Sequence, residues 1–405
     1  MTAVTVAVTA VESALTAATA AAGLPPLSLY VHFPWCVRKC PYCDFNSHAL
    51  RGELPEADYI SALLRDLDRE ARGARGRPID SIFLGGGTPS LFSPRALARL
   101  LEGCRERLAL ADDVEITLEA NPGTIERGRF ADYRAAGINR VSLGAQSFSD
   151  AQLRVLGRIH AADDTRRAAE ELHAAALDNF NLDLMYALPH QSPEEAGADI
   201  QAALALAPAH VSHYQLTLEP GTVFGGRPPA GLPDADGGAD MQQACQQQLA
   251  AAGLLQYEVS GYARAGTRCR HNLNYWRFGD YLGIGAGAHG KCSRIEQGRI
   301  VVERTARPRD PRRFLRGEPA ERHTVVAADL PFEYLMNTLR LKEGFAAADY
   351  EARTGLPFGE LAGPLERLRQ RGLIEAAGGL WRASSRGFDF LNDLLAQFLP
   401  TPTTL

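Results

Sequence analysis

Six short apolar runs, alternating with helical stretches, constrain this chain more than any other feature. They are Leu27–Pro34, Ser81–Gly85, Glu115–Ala120, Arg140–Gln146, Asn179–Ala187 and His210–Leu216. They are rich in Val, Ile, Leu, Phe and Tyr and run close to continuously apolar, as strands covered on both faces do. Between them, spacing predicts amphipathic helices over 57–72, 94–108, 161–177 and 193–206. The last opens Pro-Glu-Glu, a favourable first turn. Strands alternating with helices imply a parallel sheet with right-handed crossovers. Six units fall short of the eight of a closed barrel, so an α/β fold built on a partial, open (β/α)6 barrel is expected. Polar and Gly-rich residues gather at the strands' C-terminal ends, where such barrels build their sites.

The rest of the chain reads differently. Residues 221–240 are rich in Gly, Pro and Asp and read as a long loop, with a helix over 240–252. Residues 253–290, rich in Gly and aromatics, resist assignment. Helical patterns return over 331–341, 347–353, 358–371 and 386–398. Ile374-Glu375 and Leu380-Trp381 flank Ala-Ala-Gly-Gly, a hairpin signal. Helix, helix, hairpin predicts a C-terminal winged-helix-like α+β domain. The expected division is a tail over 1–26, the barrel over 27–225, a connecting segment over 226–310 and the C-terminal domain over 311–400.

Charge and hydropathy remove some functions. The net charge of −5 disfavours nucleic-acid binding, which needs clustered cations. The arginines of 361–371 come with the glutamates Glu360 and Glu366, which weakens a DNA-binding reading of the winged helix. No run of 18 strictly apolar residues exists, so no membrane-spanning helix is expected, although peripheral membrane contact stays open. The Ala/Thr/Val-rich start, up to Leu24-Pro25-Pro26, lacks the basic residues that begin a secretory signal. A cytoplasmic protein, monomer or weak homodimer, is expected.

The chain has seven cysteines, and three sit together in Cys36-Val-Arg-Lys-Cys40-Pro-Tyr-Cys43. The other four (Cys104, Cys245, Cys269, Cys292) are scattered. This is no disulfide framework; it suggests a reducing compartment and one metal-type cluster. Zinc would need a fourth ligand, for which His32 and His48 are candidates. An ordinary iron–sulfur site uses four cysteines, so three leave one iron open. The Gly85-Gly86-Gly87-Thr88-Pro89 run after the second strand adds a close backbone approach to a ligand.

The triplet resembles that of the radical S-adenosylmethionine (SAM) superfamily. The resemblance implies a [4Fe-4S] cluster held by Cys36, Cys40 and Cys43, its open iron chelated by SAM. Within the superfamily, roughly residues 27–390 resemble the oxygen-independent coproporphyrinogen III oxidase family. The matching stretches include Tyr30-Val-His-Phe-Pro-Trp-Cys36, Leu118-Glu-Ala-Asn-Pro-Gly123, Val141-Ser-Leu-Gly-Ala-Gln-Ser-Phe148, Leu156-Gly-Arg158-Ile-His160 and Asn181–Pro189. That similarity implies SAM contacts at Tyr30, Tyr42, Gly86, Gly87, Thr88, Glu119, Gln146, Arg158 and Asp183. Two features separate subfamilies. The oxidases carry a further cysteine two places after the triplet, where this chain has Phe45. The run Cys-Asp-Phe-Asn and the motif His271-Asn-Leu-Asn-Tyr275-Trp276 resemble the HemW-type haem chaperones. The resemblance implies haem binding at His271, Tyr275 and Trp276, with delivery to haem-accepting proteins. Cys269 and His289 are competing haem ligands. The alternative function is coproporphyrinogen III oxidation to protoporphyrinogen IX.

Overall fold

The computed structural model describes residues 23–124 and 129–399. Most of the expected N-terminal tail lies outside the described residues. The six expected strands form as β1 (Leu27–Phe33), β2 (Ile79–Gly86), β3 (Leu110–Ala120), β4 (Arg140–Gln146), β5 (Phe180–Tyr186) and β6 (His210–Gln215). They lie side by side in chain order, and every neighbouring pair is parallel. Helices α1 (Glu56–Ala74), α2 (Pro94–Arg107), α3 (Arg129–Ala136), α4 (Ala162–Ala174) and α5 (Pro193–Ala205) return the chain from strand to strand. Ser93 starts α2 by accepting the Ala96 N–H, with Pro94 at the first helical position. Ser192 and Glu195 form a reciprocal capping box at the start of α5.

The strands are buried on both faces, but the faces differ. Leu27, Leu29, Val31 and Phe33 of β1 pack into the main apolar core, while Ser28 and His32 between them are buried polar residues. The same alternation puts Ser81, Glu115, Thr117, Arg140, Ser142 and Asn181 out of water on the inner face. A barrel interior is ordinarily packed with branched apolar side chains. A polar inner face needs partners or a ligand.

Residues 253–290 were unreadable because they enter the sheet through short, unusual strands. β7 (Leu255–Gln256) and β8 (Gly261–Ala263) add antiparallel strands beyond β6. α7 (Arg270–Trp276) carries the His-Asn-x-x-Tyr-Trp motif. β9 (Asp280–Ile284) lies parallel to β1 on its free side, and β10 (His289–Glu296), β11 (Arg299–Ala306) and β12 (Glu321–Thr324) extend that flank antiparallel. The full order is β12-β11-β10-β9-β1-β2-β3-β4-β5-β6-β8-β7. Thus 226–310 supplies walls of the same sheet. β9 opens with a fully buried aspartate, which no strand pattern anticipates. Asp280 is bound by Arg77 at 2.7 Å, by Lys291 at 3.0 Å and by the Ser293 N–H at 2.8 Å. Gly283 is required there, because a Cβ would collide with the His289 carbonyl.

The expected loop over 221–240 is shorter than its composition suggested. A helical turn covers Val223–Gly226 and α6 spans Ala235–Ala251. The Asp234 carboxylate accepts the Gly237 N–H, so a good N-cap starts α6 despite its glycines. The C-terminal residues form helices over Leu330–Thr338, Ala347–Thr354 and Phe358–Gln370, with a hairpin Ile374–Ala377 and Leu380–Ala383. Its turn places Gly378 and Gly379 at positive φ. Phe345–Ala346 adds a third strand, giving the winged-helix arrangement. Phe278 and Val302 belong to this module's apolar cluster, so it rests on the antiparallel flank of the sheet.

Candidate functional site

The cysteine loop follows β1 and is held by a small ladder, Trp35–Cys36 against His48–Ala49. His48 N–H to Pro34 O (2.7 Å) and Leu50 N–H to Cys36 O (2.8 Å) complete it. Cys36, Cys40 and Cys43 line one cavity together with Tyr42, Gly86, Gly87, Thr88, Glu119, Gln146, Arg158 and Asp183. The sequence-chosen SAM residues therefore converge, with one exception. Tyr30 faces an adjoining, larger cavity, where its hydroxyl meets His32 Nδ1 at 3.0 Å.

Each wall has a local cause. The Gly87 N–H donates to Phe33 O at 2.6 Å, and a Cβ on Gly87 would lie 2.6 Å from Trp35 O. Gly86 has φ +110°, and its N–H donates to Glu119 Oε2 at 3.0 Å. Gln146 holds φ +67° at an irregularity in the β4–β5 register, which turns its Oε1 toward the Tyr214 hydroxyl at 2.7 Å. Arg158 donates Nη2 to Gly144 O at 2.8 Å, has Nη1 3.6 Å from Cys40 Sγ, and leaves its buried Nε unpaired.

The residues suit a multi-iron cluster better than zinc. Among the described residues no three His, Cys, Asp or Glu side chains converge on a single-ion site. His32 is occupied by Tyr30 and by Asn46 O at 2.9 Å, and His48 Nε2 faces Asn46 Oδ1 and Arg309 O. Both ring nitrogens of His32 are thus taken, and His48 is held by its Nε2. Three thiols around one cavity, beside a buried guanidinium, fit an anionic cluster with an open iron.

Burial, then the neighbouring Asp183, pushes the Glu119 carboxyl up to about 8, against the pull of the Gly86 N–H. Its folded pKa lies above its unfolded one, so the fold favours the neutral acid. Glu119 therefore costs stability increasingly as pH rises from about 4.5 towards 8. Glu119→Gln is expected to gain on the wild type by about 1.4 kcal/mol for each pH unit across that window. Urea unfolding of the ligand-free chain at pH 5 and pH 8.5 checks this; a pH-independent difference would refute it.

The second cavity is the barrel lumen, about 730 Å³. It shares Phe45, Gly86, Glu119, Ser142 and Asp183 with the first, so the two adjoin. His271, Tyr275 and Trp276 all line it. Glu115 positions them by accepting the Arg270 N–H at 2.9 Å at the start of α7. His271 packs 5.0 Å from Phe83 and 6.1 Å from Tyr30 between ring centroids, with Nδ1 3.4 Å from Ser81 Oγ. Burial pulls its pKa down to about 3, so the imidazole is neutral. Tyr275 sits edge-on to Trp276 at 4.9 Å, and Arg340 stacks on Trp276 at 4.1 Å. Cys269 does not line the cavity: it is fully buried against Glu115, and burial pushes its thiol up to about 12. His289 does line it, from an exposed position beside Arg309.

Sequence reasoning missed Phe83, Arg140, Asn181, Ser212 and Tyr281 as lining residues. For the first four the signal was present as alternate positions on strands that read as uniformly apolar; Tyr281 lies on β9, which the pattern did not reveal.

Comparisons with known proteins agree with this geometry. Residues 30–203 match the radical SAM superfamily model, and residues 326–390 match the HemN C-terminal domain. The chain is 52% identical to the heme chaperone HemW of Escherichia coli, covering 93% of this chain and 99% of that one. It is 48% identical to the heme chaperone HemW of Haemophilus influenzae, covering 93% and 98%. Among solved structures it resembles the coproporphyrinogen III oxidase HemN of Escherichia coli, with a TM-score of 0.77 at 22% identity over 93% of this chain and 90% of that one. At that identity the likeness shows the fold alone. With an open radical SAM barrel, a HemN-type C-terminal module and near-full-length identity of about half, the chain belongs to the HemW haem chaperone family of the radical SAM superfamily.

Proposed function

We propose that the chain binds haem in the barrel lumen and passes it to haem-accepting proteins. A [4Fe-4S] cluster and SAM would occupy the adjoining cavity. The carrying observation is the lumen itself: about 730 Å³ with a neutral buried imidazole among flat apolar rings. Pockets of this size take ligands of cofactor dimensions. A neutral imidazole is the form that ligates iron, and aromatic faces suit a macrocycle.

Cys36, Cys40 and Cys43 would hold the cluster. When bound, it supplies one-electron reduction at an iron that no cysteine occupies. Arg158 would pair with the carboxylate of SAM, and the buried Glu119 and Asp183 would receive its ammonium group or ribose hydroxyls.

Phe45 bears on the alternative reading, coproporphyrinogen III oxidation. It is 60% exposed and borders both cavities, and it puts a phenyl ring where the oxidases resembled in sequence carry a further thiol. Anaerobic incubation with coproporphyrinogen III, SAM and a reductant is expected to give no catalytic turnover. Protoporphyrinogen formation over many cycles would replace the chaperone reading with the oxidase one.

Titrating the chain with hemin is expected to shift the Soret band, and His271→Ala is expected to weaken binding at least about tenfold. An identical titration in the variant would remove His271 from the haem site.

A further inference from the structure

One cation in the lumen is used by nothing described so far. Arg140 opens β4 on its inner face, lines the large cavity and is 2% exposed. Among the described residues its guanidinium makes no hydrogen bond or close ion pair, and its Nε is an orphaned buried donor. The carboxylates that act on it are committed elsewhere. Glu115 accepts the Arg270 N–H at 2.9 Å, and Asp183 accepts from Asn181 Nδ2 at 2.7 Å and Ser142 Oγ at 3.3 Å. They balance its charge through space and leave its donors free.

A buried guanidinium with unused donors is costly unless a partner arrives. Its planar fork matches a carboxylate in bidentate fashion. The surrounding wall offers flat apolar faces at Phe83, Tyr275 and Trp276, and the Trp276 Nε1 is also an unpaired buried donor. We infer that Arg140 is the anchor for a carboxylate carried by a flat apolar ring system in the lumen. Resting on the haem reading above for the identity of the ring, that carboxylate is a haem propionate. Arg140 would then set how far the ring enters and would reject macrocycles that lack a free acid.

The test compares hemin with hemin dimethyl ester in the same detergent, followed by Soret titration of the full-length chain. Wild type is expected to bind hemin at least about tenfold more tightly than the ester, the discrimination expected of a charge-assisted pair. In Arg140→Met, hemin affinity is expected to fall to that of the ester, with ester binding little changed; Arg140→Lys should recover part of the preference. The wild-type comparison does not depend on either variant folding. Equal wild-type affinities, with a Soret shift that still depends on His271, would overturn the anchor and leave the haem reading standing. A chain that shifts neither compound's Soret band would remove the haem reading and the anchor with it.

Discussion

Replacing any one of Cys36, Cys40 and Cys43 by serine is expected to reduce iron from about four per chain to near zero after anaerobic reconstitution. The broad charge-transfer absorbance should vanish with it. A cluster already one protein ligand short has no spare anchor, so losing a second should release it. The neighbourhood offers no substitute. Both ring nitrogens of His32 are taken by hydrogen bonds, His48 is held by its Nε2, and Phe45 fills the place two residues after Cys43. The three cysteines are only half-buried, on a loop outside the apolar core, so far-UV circular dichroism and the unfolding midpoint should barely move. That combination separates lost ligation from lost folding. Retention of four irons by each single variant would end the assignment of the cluster to this loop, and wild-type chain that took up zinc and no iron would end the cluster itself.

Asp280→Ala is expected to cost about 3–5 kcal/mol, a large share of a typical total stability of about 5–15 kcal/mol. The carboxylate is fully buried and joins Arg77 from the turn between α1 and β2, Lys291 from β10 and the Ser293 backbone and hydroxyl. Both cations hold it below the usual carboxylate range, even though burial opposes them. Removing it strands two buried cations at once. Lys291 keeps the Phe278 carbonyl at 3.0 Å and the Phe278 ring at 4.1 Å, and Arg77 keeps the Pro25 carbonyl at 2.7 Å. These contacts do not neutralise charge. Asp280→Asn, which keeps the shape and part of the bonding, should fall between the two. Urea unfolding at pH 7 reads the difference; a loss below about 1 kcal/mol would mean that water reaches the cluster of charges.

The six barrel strands and their helices were legible because apolar periodicity is a local property. β4 was found residue for residue, and the ends of the others moved by a few positions. The convergence of the cysteine loop with Glu119, Gln146, Arg158 and Asp183 was legible through motifs, since each lies at or near the top of a strand whose place in the sheet follows from chain order. β9 was not legible. Its stability comes from Asp280 meeting Arg77 and Lys291 and from Gly283 clearing the His289 carbonyl, all of them tertiary facts. The lumen was half legible: the motif on α7 pointed to it. Arg140 did not, because one arginine opening an apolar strand looks like an edge residue until the inner face is known to be polar.

The position of β9 also bears on the order in which the chain can assemble. β1 is the first of the described strands to be synthesised, yet one of its two sheet neighbours is encoded about 250 residues later. Until residues 280–284 emerge, β1 presents a bare hydrogen-bonding edge directly beneath the cysteine loop. Such an edge invites pairing with other nascent chains. Closing it is a long-range event that also delivers α7 to the lumen, so the metal-binding loop gains a finished support at the same stage of synthesis as the histidine motif. A chain truncated before residue 280 would thus carry its three thiols on an unsealed sheet, and it should be recovered from cells chiefly as aggregate.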